Sequence, residues 1–272
     1  MVRVGWSKRA WLCAGWLAAF ASAGCKQGDA RRARDPAAAP ESSRVTVNPA
    51  SGLRTWEEGT LGVPLLLLHG YGSGPDDFLP FARTIRVPGG ARFFFPEAPE
   101  TTMPPAGPRG GRAWWHLGLD RHLPTGSFVP DLTRVRPPGL AIAAAKVRAL
   151  VGEIGARTGV GSGGVILGGF SQGAMVSAEV AFRSTTPLKA LVLLSGTAVD
   201  EPSWREPMPR RRGLRVFIAH GRGDVILPFA VAERMAATMK QAGLTVTWVP
   251  FDGGHDVPTE IVVALNAFLA SL

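Results

Sequence analysis

Val165-Ile166-Leu167-Gly168-Gly169-Phe170-Ser171-Gln172-Gly173-Ala174-Met175 is the stretch that decides the fold. Its first half is short, apolar and β-branched at its start, as a buried strand should be. Its second half, running on to Arg183, is rich in helix formers. A serine therefore stands at a sharp strand-to-helix turn, with a glycine two residues away on either side. A hydroxyl aimed out of a sheet needs a strained backbone at the serine, and Cβ atoms at the ±2 positions would crowd the turn. The helix that follows would point its first amides at the place where an oxyanion develops. The chain holds 34 glycines in 272 residues, so the bare Gly-x-Ser-x-Gly pattern carries little weight. Its flanks carry the reading. An ordinary βα turn with a capping serine is the alternative on local evidence.

Outward from this turn, the chain alternates strands and helices. Val45-Thr46-Val47 and Leu53-Arg54-Thr55-Trp56 alternate in polarity and read as a hairpin at a sheet edge. Leu65 to Leu68 is continuously apolar, so both faces of that strand should be covered. It runs into the glycine-rich His69-Gly70-Tyr71-Gly72-Ser73-Gly74. Further strands are expected over 92–96, 190–195, 216–220 and 245–250, and helices over 142–154, 229–242 and 259–272. Such alternation predicts an α/β fold with a mostly parallel sheet and helices on both faces. The stretch from Gly107 to Arg136 breaks the rhythm and reads as a lid or binding loop. Trp114-Trp115-His116 in its middle is read either as core packing or as a wall of an acyl site.

A serine hydroxyl needs a base, and the base needs an orienting group. In a parallel sheet these collect beyond the carboxyl ends of strands. Of the five histidines, His255 directly follows such an end, in Asp252-Gly253-Gly254-His255-Asp256. Asp224, in His220-Gly221-Arg222-Gly223-Asp224, is the expected acid, with Asp200 as runner-up. Ser, Asp, His is also the chain order of α/β-hydrolases. One oxyanion amide is expected from Gln172 and the other from Tyr71. Gly72-Ser73-Gly74 lacks the Lys-Ser/Thr of a phosphate loop, and no histidine pair has helix spacing for a metal.

The N-terminal residues read differently. Arg3, Lys8 and Arg9 precede the short apolar run Trp11 to Phe20, the pattern of an export signal over 1–24. Ser22-Ala23-Gly24-Cys25 resembles a bacterial lipoprotein box, although Ser22 stands where leucine is usual. Acylation of Cys25 is the favoured exit, with cleavage after Ala23 as the alternative. Residues 25–44 lack an apolar period and read as a disordered tether; residues 45–272 form the folded domain. The only other cysteine, Cys13, lies in the leader, so disulfides and thiolate metal sites are not expected. The expected location is the cell envelope, with a membrane as partner through the anchor. The formal net charge of +9 suggests a nucleic-acid partner, but the leader carries three of those charges and the tether two, which leaves +4 on the domain. No nucleic-acid partner is expected. Arg210-Arg211-Arg212 is read as a solvated loop, with contact to anionic lipid or substrate as the alternative.

Taken together, six segments resemble the α/β-hydrolase carboxylesterases that include phospholipase-like esterases and acyl-protein thioesterases. They are His69 to Gly72, Phe95 to Pro99, Gly111 to Trp115, Gly169 to Gly173, His220 to Asp224 followed by Pro228, and Gly254-His255. They occur in the family's order and span about Leu61 to the C-terminus. The resemblance implies a Ser171, Asp224, His255 triad, hydrolysis of small carboxylic esters or thioesters without a cofactor, and Trp114 or Trp115 near the acyl site. A serine peptidase on the same fold and an inactive binding lipoprotein are the rival expectations.

Overall fold

The computed structural model describes residues 44–102, 111–117, 129 and 131–272. The expected leader, Cys25 and nearly all of the tether lie outside the described residues, as do parts of the 107–136 stretch.

The strands are β1 (Arg44–Val47), β2 (Arg54–Glu58), β3 (Val63–Leu68), β4 (Ala91–Pro96), β5 (Glu100–Thr101), β6 (Arg112–Ala113), β7 (Ile166–Phe170), β8 (Ala190–Leu194), β9 (Arg215–Gly221) and β10 (Thr245–Phe251). The α-helices are α1 (Leu79–Ala82), α2 (Pro138–Thr158), α3 (Gln172–Arg183), α4 (Glu201–Arg205), α5 (Phe229–Gln241) and α6 (Thr259–Ala270). Eight strands form one sheet in the order β1-β2-β4-β3-β7-β8-β9-β10. β1 and β2 pair antiparallel, β2 joins β4 antiparallel, and every later pairing in the sheet is parallel. β5 and β6 make a separate small hairpin.

The apolar run in β3 explains the two-sided core. Successive side chains of a strand point to opposite faces. Leu66 and Leu68 accordingly join a cluster with residues of α2, α3 and α5. Leu65 and Leu67 join a second cluster with Phe81 of α1 and Ile261, Leu265 and Phe268 of α6. Helices thus cover both faces. α2 begins at Pro138, where a missing N–H costs nothing, and ends at Gly159, whose φ of 75° is open to glycine. Its buried Leu140, Ala143, Val147, Leu150 and Ile154 recur at helical spacing.

α1, α4 and the β5–β6 hairpin are absent from the expected elements. Each is five residues or shorter, too short to show a period. The arginine run also differs from a plain solvated loop. Arg211 donates from Nε to the Ala181 carbonyl and from Nη2 to the Ser184 carbonyl, so it caps the C-terminal end of α3. Arg210 and Arg212 are exposed.

Candidate active site

Ser171, Asp224 and His255 follow the carboxyl ends of β7, β9 and β10. Adjacent parallel strands bring those ends to one edge, so residues far apart in the chain meet there. The Ser171 hydroxyl donates to His255 Nε2 at 2.9 Å, and His255 Nδ1–H donates to Asp224 Oδ2 at 2.6 Å. Ser171 has φ 54° and ψ −119°, a strained conformation that costs on the order of 1–3 kcal/mol and persists because its surroundings enforce it.

Those surroundings are the flanking glycines. A Cβ on Gly173 would sit 2.1 Å from the Leu68 carbonyl oxygen, and one on Gly169 would sit 2.6 Å from the same atom. Neither contact is tolerable, so the turn requires glycine at both positions. The acid and histidine loops are fastened together in the same way. Arg222 N–H donates to the Phe251 carbonyl at 2.8 Å, and Gly223 N–H to the Gly253 carbonyl at 2.9 Å. A Cβ on Gly221 would meet the Gly254 carbonyl oxygen at 2.2 Å. The Ser195 hydroxyl donates to the Asp256 carbonyl at 3.2 Å and braces the histidine loop from β8.

Asp224 is surrounded by donors. Oδ1 accepts the backbone N–H groups of Ile226 and Leu227, each at 2.9 Å. Oδ2 accepts from His255 and lies 3.1 Å from His220 Nε2. Burial alone would raise its pKa. Hydrogen bonds from His220 and His255, attraction to a protonated His255 and the Leu227 N–H outweigh that effect and hold the carboxyl well below the usual carboxylate range. The carboxylate is therefore charged at neutral pH and oriented on all sides.

His220 is a partner that the sequence reading left unassigned. It is fully buried, and its Nε2 lies 2.9 Å from the Leu227 carbonyl as well as near Asp224. Both neighbours are acceptors, so Nε2 carries the proton. The signal in the sequence was its place four residues before Asp224, at the end of a strand. Asp200, the runner-up acid, faces Arg136 Nη1 at 3.7 Å instead of a histidine.

Tyr71 and Gln172 flank the serine. Gln172 is the first residue of α3, where a helix leaves backbone N–H groups without intrahelical partners. Tyr71 lies in the loop after β3, and that loop presses on the serine. A Cβ on Gly70 would approach Ser171 Cβ to 3.3 Å.

One short segment ties these two loops together. The Gln172 side chain accepts the Trp114 N–H at 2.9 Å and donates to the Trp115 carbonyl at 2.8 Å. The Trp114 indole N–H donates to the His69 carbonyl at 2.9 Å. Gly72 N–H donates to the Arg112 carbonyl, and Arg112 N–H to that of Ser73. Residues 112–115 therefore strap the Tyr71 loop to the serine turn. Both tryptophans are buried in the core cluster around α2 and α3. His69 anchors the other side of the strap. It donates from Nδ1 to the Gly70 carbonyl at 2.8 Å and accepts the Ala98 N–H at Nε2 at 3.1 Å. Burial pushes its pKa down to about 4, so it is a neutral structural group.

Among the described residues, no group of three or more His, Cys, Asp or Glu is placed to hold a metal ion. No described helix is long and apolar enough to cross a membrane.

Fold and site geometry define an α/β-hydrolase. Residues 63–272 match the phospholipase/carboxylesterase family, and the chain belongs to it. That family is one of hydrolases of the esterase and thioesterase type. A solved esterase, PE8, is 26% identical, with a TM-score of 0.64, over 85% of this chain and 98% of its own. A carboxylesterase from Mesorhizobium loti shares the fold at 19% identity, with a TM-score of 0.67, over 84% of this chain and 99% of its own. An acyl-protein thioesterase 1 from Gibberella zeae is 29% identical over 109 residues, or 39% of this chain. The match spans less than half of that protein, at 46% of its length.

Proposed function

We propose that the chain is a serine hydrolase of small carboxylic esters, with thioesters as the related class, acting through an acyl-enzyme. One observation carries the reading: an unbroken hydrogen-bond chain from the Ser171 hydroxyl through His255 to Asp224, starting on a strained turn. His255 takes the serine proton as Oγ attacks the acyl carbonyl. The amides of Tyr71 and Gln172 receive the oxyanion. His255 then gives its proton to the leaving alcohol or thiol. Water repeats the cycle and frees the acid. Asp224 keeps the Nδ1–H tautomer in place and stabilises the imidazolium, and His220 holds Asp224.

A fluorophosphonate probe is expected to label Ser171 once per chain. Ser171→Ala should lose the label and p-nitrophenyl ester hydrolysis together. Ester hydrolysis that survives in this variant overturns the reading. In the same proposal, residues 1–24 export the chain and Cys25 is lipidated, which would present the site with lipid, cell-wall or environmental esters. Fractionation of cells expressing wild type and Cys25→Ser tests that part. Equal solubility of the two means that no anchor forms at Cys25.

A further inference from the structure

Basic side chains gather at one end of the β7–β10 half of the sheet. Ile166, Ala190, Arg215 and Thr245 stand in one register row across β7, β8, β9 and β10, at the amino ends of the strands. Around that row lie Arg183, Lys189, Arg210, Arg212 and Lys240, and all but Lys189 are exposed. Arg183, Arg210 and Arg211 meet at a cavity of about 300 Å³ between the C-terminal end of α3 and the turn before β9. Glu206 is the acid on its rim. Beyond the carboxyl ends of β8, β9 and β10 lie Asp200, Glu201, Asp224, Asp252 and Asp256; Asp200, Glu201 and Asp252 face Arg136, Arg234 and Arg222, and Asp224 is buried between two histidines. β9 alone is seven residues long, so the two ends are about 20 Å apart. That is about two Debye lengths at 0.1 M salt, and the site's field does not cancel that of the basic end.

We propose that this basic end docks on an anionic lipid bilayer, with the Arg183–Arg210–Arg211 cavity taking a lipid phosphate, so that Ser171 faces away from the surface. The orientation follows from the basic end, since the acids at the opposite end are largely paired. Lipid is favoured over nucleic acid because the sequence upstream of the domain carries the apolar run Trp11 to Phe20 and the lipoprotein-like Cys25. In the proposed function those features bring the domain to a membrane, and the present proposal rests on that reading. The docked domain would draw its substrates from the aqueous side.

The test uses the full chain, so that residues 1–43 contribute equally in every arm. Phosphatidylcholine vesicles report that contribution alone. Vesicles containing phosphatidylglycerol add surface charge. A surface cation near such a bilayer is worth roughly fivefold in partition. The triple variant Arg210→Gln, Arg212→Gln, Lys240→Gln should therefore lose on the order of a hundredfold of the excess binding to phosphatidylglycerol at low salt. Its binding to phosphatidylcholine and its hydrolysis of a soluble ester should match wild type. Wild type bound to phosphatidylglycerol should hydrolyse the soluble ester as fast as wild type in solution. An unchanged excess in the variant, or no excess in wild type, overturns the proposal. So does a soluble-ester rate that collapses on the vesicle, because the site would then face the bilayer. Tighter binding to duplex DNA than to phosphatidylglycerol vesicles, lost in the variant, would reassign the face to nucleic acid and equally overturn it.

Discussion

Replacing Asp224 by asparagine changes one oxygen for an NH2 group at a site where every neighbour is a donor. Ile226 and Leu227 point N–H groups at Oδ1, and His255 and His220 approach Oδ2. Turning the amide oxygen toward the histidines sets its NH2 against two backbone donors. Turning it toward the backbone sets its NH2 against the histidines. The second arrangement costs less, because His255 can move its proton to Nε2 and accept at Nδ1. His220 keeps the Leu227 carbonyl. About one buried hydrogen bond is then lost, worth roughly 1–3 kcal/mol of stability. The catalytic loss is far larger. With its proton on Nε2, His255 has no lone pair for the Ser171 hydroxyl, and kcat should fall on the order of 10⁴-fold. Steady-state p-nitrophenyl ester hydrolysis and a urea unfolding curve, run side by side, separate the two effects. The stability gap also has a pH signature. The folded carboxyl titrates below its ordinary value of 3.8, so its contribution is full above about pH 4 and fades as the pH falls through the folded value. The gap should narrow only in acid. A folded Asp224→Asn variant with kcat within tenfold of wild type would refute this reasoning. Asp200→Asn, which disturbs only the contact with Arg136, should stay within a few-fold.

Trp114→Phe keeps the buried ring but removes the donor to the His69 carbonyl; it should cost about 1–3 kcal/mol in urea unfolding and lower kcat more than it raises KM, because that carbonyl belongs to the Tyr71 loop. His69 has a folded pKa of about 4 against 6.5 unfolded, so its stabilising effect is complete above pH 6.5 and is lost as the pH falls toward 4. Wild type should lose about 3 kcal/mol more than His69→Gln over that interval, and parallel urea curves for the two would contradict the assignment. Gly173→Ala should abolish labelling of Ser171 by a fluorophosphonate, since its Cβ would overlap the Leu68 carbonyl; a normally labelled variant would show that the turn can open.

Much of this protein is legible in its sequence because its central device is local. The serine turn needs only a strand, a helix and two glycines within a few residues, and those requirements are written between Val165 and Arg183. Continuous apolar strands announced a two-faced sheet, and the strand-end rule pointed to His255 and to Asp224, with Asp200 as runner-up. Tertiary structure decided what lies around them. The Gln172 amide meets Trp114 and Trp115 across separations of 58 and 57 residues, and the Trp114 indole meets His69 across 45. Nothing local specifies such contacts, so the sequence leaves the tryptophans open between core and acyl wall. Arg211 read as one of three alike in a loop, yet it caps a helix that ends 28 positions earlier, at Arg183. The gathering of basic residues at the amino ends of β7 to β10 is equally invisible in a linear chain. Parallel strands sort residues by whether they precede or follow a strand, and only the folded sheet gathers each set into one surface.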